Sequence, residues 1–265
     1  MLIVAPIAAV AATRAHKAVS GMLPQGAGSW VTDHMGRGLK TRPAEAVFPM
    51  AYLVEQDPNT HLRPHFHEAD QFQVVVAGGG TLGKHAVGPT SVHYTDAYTP
   101  YGPIEAGTGG VHYFTLRNAW DGGAKYLPES RPQLAARARA PRSAVVGPVE
   151  LPSQAAPAAS ARVAWETVME TAADGLAAWL ASVPPGQVLV GPDPAAGNSQ
   201  FWLVLRGAAF HNKAQLDPNS CIFVSRDESP PSFAAGPQGA TVLIVQFPKH
   251  DSTARRRRES RLLLV

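Results

Sequence analysis

The chain has 265 residues, 45% of them hydrophobic and 16% charged, which supplies a sizeable core and excludes a disordered protein. Its net charge of +3 at pH 7 is modest, and the basic excess is concentrated at the C-terminus, so no nucleic-acid footprint is read from it. One cysteine, Cys221, excludes an internal disulfide framework and fits a reducing, cytoplasmic compartment; its apolar neighbours make it a buried strand residue rather than a nucleophile.

Residues 1–28 read as a leader with little fold information. Their apolar opening lacks the positive residues that precede a signal sequence, and at about a dozen residues it is too short to cross a membrane. Short alternating or apolar runs follow at 48–54, 71–77, 91–94 and 111–116, punctuated by Gly, Pro, Asn and Asp. That is the pattern of an all-β sandwich or barrel, here over 29–127, and 24 Gly with 24 Pro favour many short strands. Residues 128–162, rich in Pro, Ala, Arg and Ser, read as a linker or extended arm. A second β unit is expected over 163–250, entered by a short helix or strand at 163–182. A solvated basic tail, 251–265, closes the chain with Arg255, Arg256, Arg257, Arg258 and Arg261.

The second unit repeats the first. At an offset of 129, Gln71 falls on Gln200, Phe72 on Phe201, Gly78 on Gly207, Lys84 on Lys213, Pro89 on Pro218 and Ser91 on Ser220. With a slip of one or two residues, 109–116 faces 239–245. Several histidines do not repeat: His65 becomes Pro194, His67 becomes Ala196, and His112 becomes Val242 or its neighbour. Residues that one copy of a fold dispenses with are not needed for folding, so these three are candidates for function.

His65 and His67, separated by one residue, share a face of a strand. With Gln71, four residues after His67, and His112 on a later strand they complete a four-point cluster, and imidazoles with one oxygen ligand suit a first-row transition metal. Gln71 is either a ligand or a structural hydrogen-bonding group, because Gln200 keeps its place without the histidines. Arg63, two residues before His65, either clamps a carboxylate or enolate in the same cavity or forms a surface salt bridge. Tyr94, Tyr98, Tyr101 and His93 lie on the stretch returning across the barrel mouth, with Tyr98 or Tyr101 the expected proton donor or substrate anchor. Glu68 and Asp70 lie off the cluster's register, and His61, His85 and His211 read as surface residues.

His65-x-His67, three residues, Gln71, six residues and Gly78 resemble the first motif of the cupin superfamily; Gly109-x-x-His112 resembles its second. Gln71 stands where that family has Glu, Gly107 where it has Pro, and Leu116 where it has Asn. The resemblance covers 45–118 well and 180–248 as a degenerate copy. It implies two tandem jelly-roll barrels, a bicupin, with metal in the first held by His65, His67, Gln71 and His112. It further implies one divalent transition metal, iron first and manganese, nickel or zinc next. Dioxygenase-type oxidation of a small, anionic organic substrate is the leading expectation, with Arg63, Tyr98 and Tyr101 as catalytic candidates. An isomerase or lyase is the alternative, and a non-catalytic binding module the third. A homodimer is expected, with no nucleic-acid or membrane partner.

Overall fold

A computed structural model describes residues 1–36, 38, 41–44, 47–151 and 162–250. The basic tail expected at 251–265 and part of the 128–162 arm lie outside them. Strands dominate. The N-terminal half contains β1 (Leu2–Ala5), β2 (Ala15–Ala18), β3 (Met22–Leu23), β4 (Gly28–Met35), β5 (Met50–Gln56), β6 (His61–Leu62) and β7 (His65–Phe66). It continues with β8 (Gln71–Leu82), β9 (His85–Val87), β10 (Val92–Thr95), β11 (Ile104–Arg117), β12 (Lys125–Tyr126) and β13 (Ser143–Val146). The C-terminal half adds β14 (Ala164–Met169), β15 (Ala177–Val183), β16 (Val188–Val190), β17 (Ser199–His211), β18 (Ala214–Leu216), β19 (Cys221–Ser225) and β20 (Ser232–Phe247). Among the described residues no helix is long and apolar enough to cross a membrane.

Two antiparallel sheets curl into two barrels. The first runs β13-β10-β8-β11-β5-β4-β2, and the second runs β1-β19-β17-β20-β15-β14. The segments at 1–28 and 128–162 are therefore not merely a leader and a linker. β2 and β3 join the first sheet, β13 adds to its β10 edge, and β1 crosses to pair with β19 of the second. Alternation explains β1: Leu2 and Val4 pack into the second barrel's interior while Ile3 packs into the core between barrels. The 163–182 segment forms strands β14 and β15.

The strands of each barrel that face the other barrel are buried on both faces, which is why they read as continuous apolar runs. Phe72, Val74, Phe114 and Leu116 meet Phe201, Leu203, Phe223, Val245 and Phe247 in one shared core. Phe72 stacks edge-on against Phe247 with ring centroids 4.9 Å apart. Each such buried aromatic contributes about 1.5–3 kcal/mol over an exposed one. Cys221 sits in this core, where burial pushes its thiol pKa well up.

The repeat is visible in the backbone. Gly78 and Gly207 share φ near 66°, and Gly110 and Gly239 share φ 76°. A Cβ on Gly78 would meet the Gly110 carbonyl at 2.2 Å, and one on Gly207 the Gly239 carbonyl at 2.1 Å. Only glycine allows that approach. Because 110 and 239 correspond, the offset of 129 runs through without the expected slip, and His112 matches Thr241, the neighbour of Val242.

Inside, the two barrels differ. Trp202, Val204, Ile222, Val224, Phe233, Val242 and Ile244 fill the second solidly. The first has an apolar layer of Val75, Leu82, Ile104, Val111 and Tyr113, and beyond it a cavity.

Candidate functional site

The cavity has a volume of about 430 Å³ and opens to solvent beside the exposed Gly38. β8 and β11 build its polar wall. Their alternation turns Gln71 and Gln73 of β8, and Tyr113, Thr115 and Arg117 of β11, into the barrel. The intervening Phe72, Phe114 and Leu116 point to the neighbouring barrel. β7 contributes His65, and His67 follows on the same side, while Phe66 turns away. Tyr101 closes the cluster, bonded to His65 through the backbone in both directions, at 3.1 and 3.0 Å.

Of the sequence-predicted residues, the structure brings together His65, His67, Gln71 and Tyr101. His112 stays apart. On β11 it lies between the inward Val111 and Tyr113, so strand alternation gives it the outer face of Phe114 and Leu116. Tyr98 caps the turn outside the cavity at φ 56°, its N–H donating to the His67 carbonyl at 2.7 Å. Arg63 points away from the cavity, donating to the Leu127 carbonyl at 2.5 Å and to the exposed Glu129 carboxylate at 2.7 and 2.8 Å. Tyr94 is buried in the inter-barrel core, and Asp70 ties the Ala97 N–H, Arg139 and His250 together away from the site. His93 is also buried and partnered, by Gln73 at 2.9 Å and Ser143 at 3.0 Å.

The unforeseen member is Arg117, 2% exposed. Its Nη2 lies 2.5 Å from Gln71 Oε1 and 3.0 Å from His67 Nε2, and its Nη1 donates to the Tyr52 hydroxyl at 2.8 Å. Asp121 is the counter-ion, with its Oδ1 3.8 Å from Nη1. The same carboxylate accepts from the Gly123 N–H at 2.8 Å and from the Glu68 N–H at 2.7 Å, and lies 2.8 Å from His67 Nδ1.

These contacts assign the protons. A guanidinium only donates, so His67 Nε2 is the acceptor and Nδ1 carries the hydrogen given to Asp121. Burial and the Arg117 charge both depress the His67 pKa, against the pull of Asp121. His65 gives its Nδ1–H to the Arg63 carbonyl at 2.8 Å. Burial first, then the neighbouring His67, lowers its pKa to about 3, so its ring is neutral. Its Nε2 has no partner among the described residues. Gln71 Nε2 donates to the Tyr101 hydroxyl at 2.8 Å, leaving the phenol's own hydrogen for another acceptor. Burial raises that phenol's pKa, so it stays protonated. For Asp121, burial pushes the carboxyl pKa up, but His67 and Arg117 outweigh it and hold the group ionised, well below the usual carboxylate range.

Two imidazoles and an amide oxygen, with a permanent cation on two of those three donor atoms and the third histidine on the outer face, do not fit the metal site first expected. Among the described residues no group of three or more His, Cys, Asp or Glu is placed to hold a metal ion. Sequence reasoning missed Arg117 because it kept to the residues around the histidines. The usable signal was the offset, which puts Gln246 opposite Gln200 where Arg117 stands opposite Gln71. Asp121, in a loop, left no such signal.

Tandem antiparallel barrels with one polar interior define the class, a two-barrel cupin fold. No family model matches the sequence, and no curated protein does. Solved structures match the fold. A bacterial pirin from Escherichia coli in complex with nickel(II) is 12% identical, with a TM-score of 0.52 over 94% of this chain and 100% of that one. An oxalate decarboxylase–formate complex from Lactobacillus farciminis is 12% identical, TM-score 0.56, over 91% and 86%. An 11S globulin from Wrightia tinctoria with an auxin binding site is 11% identical, TM-score 0.56, over 89% and 84%. The particular chain thus shares its architecture with a metal complex, an enzyme and a globulin, and at such identities the likeness is one of fold.

Proposed function

We propose that the N-terminal barrel binds a small organic anion and moves a proton on it, an isomerase- or lyase-type reaction, with the C-terminal barrel as scaffold. His65 carries this reading: a neutral imidazole, oriented by the Arg63 carbonyl, presents an unpartnered Nε2 to the cavity beside the Tyr101 hydroxyl. Nε2 would take a proton from a carbon next to a carbonyl or carboxylate, and Tyr101 would give its hydrogen to the ligand oxygen. Arg117 supplies fixed positive potential for the negative charge that develops. A bound anion raises the ring's proton affinity above the value of about 3 that burial imposes, which suits it better as a base. The formate held by the Lactobacillus farciminis protein supports a small carboxylate as the ligand class.

Dioxygenase-type oxidation at iron, the leading expectation from sequence, is the second reading. The His-x-His spacing and the nickel(II) complex of the Escherichia coli pirin favour it, whereas Arg117 counts against it. The experiment is solvent-deuterium exchange into a panel of enolisable keto acids and hydroxy acids, followed by proton NMR with EDTA present. One panel member should exchange, and His65→Gln should slow it by about 100-fold. Turnover that consumes dioxygen and requires added iron establishes the second reading. A ligand-induced rise in melting temperature without exchange leaves a binding module. The homodimer and the cytoplasmic location belong to the same proposal, and light scattering and cell fractionation measure them.

A further inference from the structure

We infer that Arg117 takes the place of a divalent cation, so that the N-terminal barrel is organised around a fixed guanidinium instead of an exchangeable metal. Three observations meet here. The two atoms that His67 and Gln71 would offer a metal are already bonded to Nη2, at 3.0 and 2.5 Å. His67 has no second lone pair to share, because its Nδ1–H goes to Asp121. The charge of the guanidinium is permanent and buried, and a second cation beside it would have, among the described residues, only Asp121 to neutralise both.

The second barrel serves as an internal control. There Gln246 occupies the Arg117 position and donates nothing to Gln200; instead Gln200 Nε2 donates to Gln246 Oε1 at 2.9 Å. Both pairs sit on the same rung of the ladder, Gln71↔Arg117 and Gln200↔Gln246. A neutral amide pair suffices where the interior is apolar and lacks histidines. The cation appears only in the barrel with imidazoles and a cavity, so the fold alone does not require it. A guanidinium differs from a metal in consequence: chelators do not remove it, it does not change oxidation state, and it holds its proton at any physiological pH.

The test titrates nickel(II) into the purified full-length protein by calorimetry, with metal content measured after dialysis. Wild type should retain no nickel at the cavity, whereas Arg117→Gln, which copies the second barrel, should bind about one nickel per chain. The added substitution His67→Ala should abolish that binding. Wild type holding one nickel per chain that His67→Ala loses would overturn the inference. So would a folded Arg117→Gln that gains no nickel. If Arg117→Gln does not fold, Arg117→Ala refolded with methylguanidinium or with nickel(II) replaces it. Recovery of the native near-ultraviolet spectrum with either cation is expected, and recovery with neither sinks the idea. Proton transfer is not read in these assays, so the result stands apart from that of the deuterium exchange.

Discussion

Asp121→Asn isolates the buried charge balance of the cavity. The carboxylate is fully buried and serves His67, the N–H groups of Glu68 and Gly123, and the Arg117 charge at once. An amide of the same shape keeps the volume and removes the charge. It also places an NH2 in a site built from donors: in one orientation that group faces the Glu68 N–H, and in the other it faces both the Gly123 N–H and His67 Nδ1. Removing one partner of a buried ion pair costs about 3–5 kcal/mol, because the other charge is left uncompensated. With a urea slope of about 2 kcal/mol per molar, the unfolding midpoint at pH 7 should fall by roughly 1.5–2.5 M. The double variant Asp121→Asn/Arg117→Gln should recover part of this, with a coupling above about 1.5 kcal/mol. A midpoint shift below about 0.5 M, or strict additivity in the cycle, would show that the pair does not balance as argued.

His65 and His93 are held to pKa values of about 3, chiefly by burial, and His67 is lowered too. These rings fold neutral and become protonated on unfolding, so their contribution is complete above about pH 6.5 and is lost as pH falls toward 3, by up to about 1.4 kcal/mol per pH unit for each ring. Urea unfolding at pH 7, 6 and 5 measures this, and equal stability at pH 7 and 5 would contradict it. Trp202→Ala should cost about 3–5 kcal/mol by leaving a void in the second barrel, while melting shifts induced by ligands of the first barrel stay as in wild type. A changed ligand response would mean that the barrels are not divided as scaffold and site. Deleting residues 1–6 removes β1 and uncovers the β19 edge; light scattering should show self-association and calorimetry a lower melting temperature. A monomer with unchanged melting would remove β1 from the fold's requirements.

The repeat and the fold were legible because both rest on local rules. Alternating runs, Gly78 with its counterpart Gly207, and the Gln71–Gln200 match carry their information along the chain. His65 and His67 were legible for the same reason, since one strand places both. His112 was misplaced because a match in spacing does not determine which face a residue takes; the phase is set across the ladder, where Tyr113, Thr115 and Arg117 are the inward set. β1 and β13 were not legible as strands because their partners, β19 and β10, lie far away in sequence. Leu2, Ile3 and Val4 look like a leader until an edge exists for them to cover.

The two interiors show how a duplicated frame yields one hollow barrel and one solid one. At the shared offset, Gln73 corresponds to Trp202 and Thr115 to Ile244, with the smaller or more polar member of each pair always in the first barrel. Trp202 fits only because Gly191 carries no Cβ: one built there would lie 2.1 Å from the indole. Its Nε1–H is satisfied by Gln200 at 2.9 Å, so the indole fills space and leaves no polar group unpaired. The first barrel has the opposite difficulty, since an empty polar interior must satisfy its donors and acceptors without an apolar plug. Arg117 resolves most of it by supplying hydrogens to Gln71, His67 and Tyr52, with Asp121 balancing the charge, while its own Nε and Ser29 Oγ in the cavity wall stay without a partner among the described residues. Polar groups that satisfy one another in this way hold the cavity open without a ligand while leaving His65 Nε2 and the Tyr101 hydrogen unspent. Those two groups are what the interior offers to a molecule that enters.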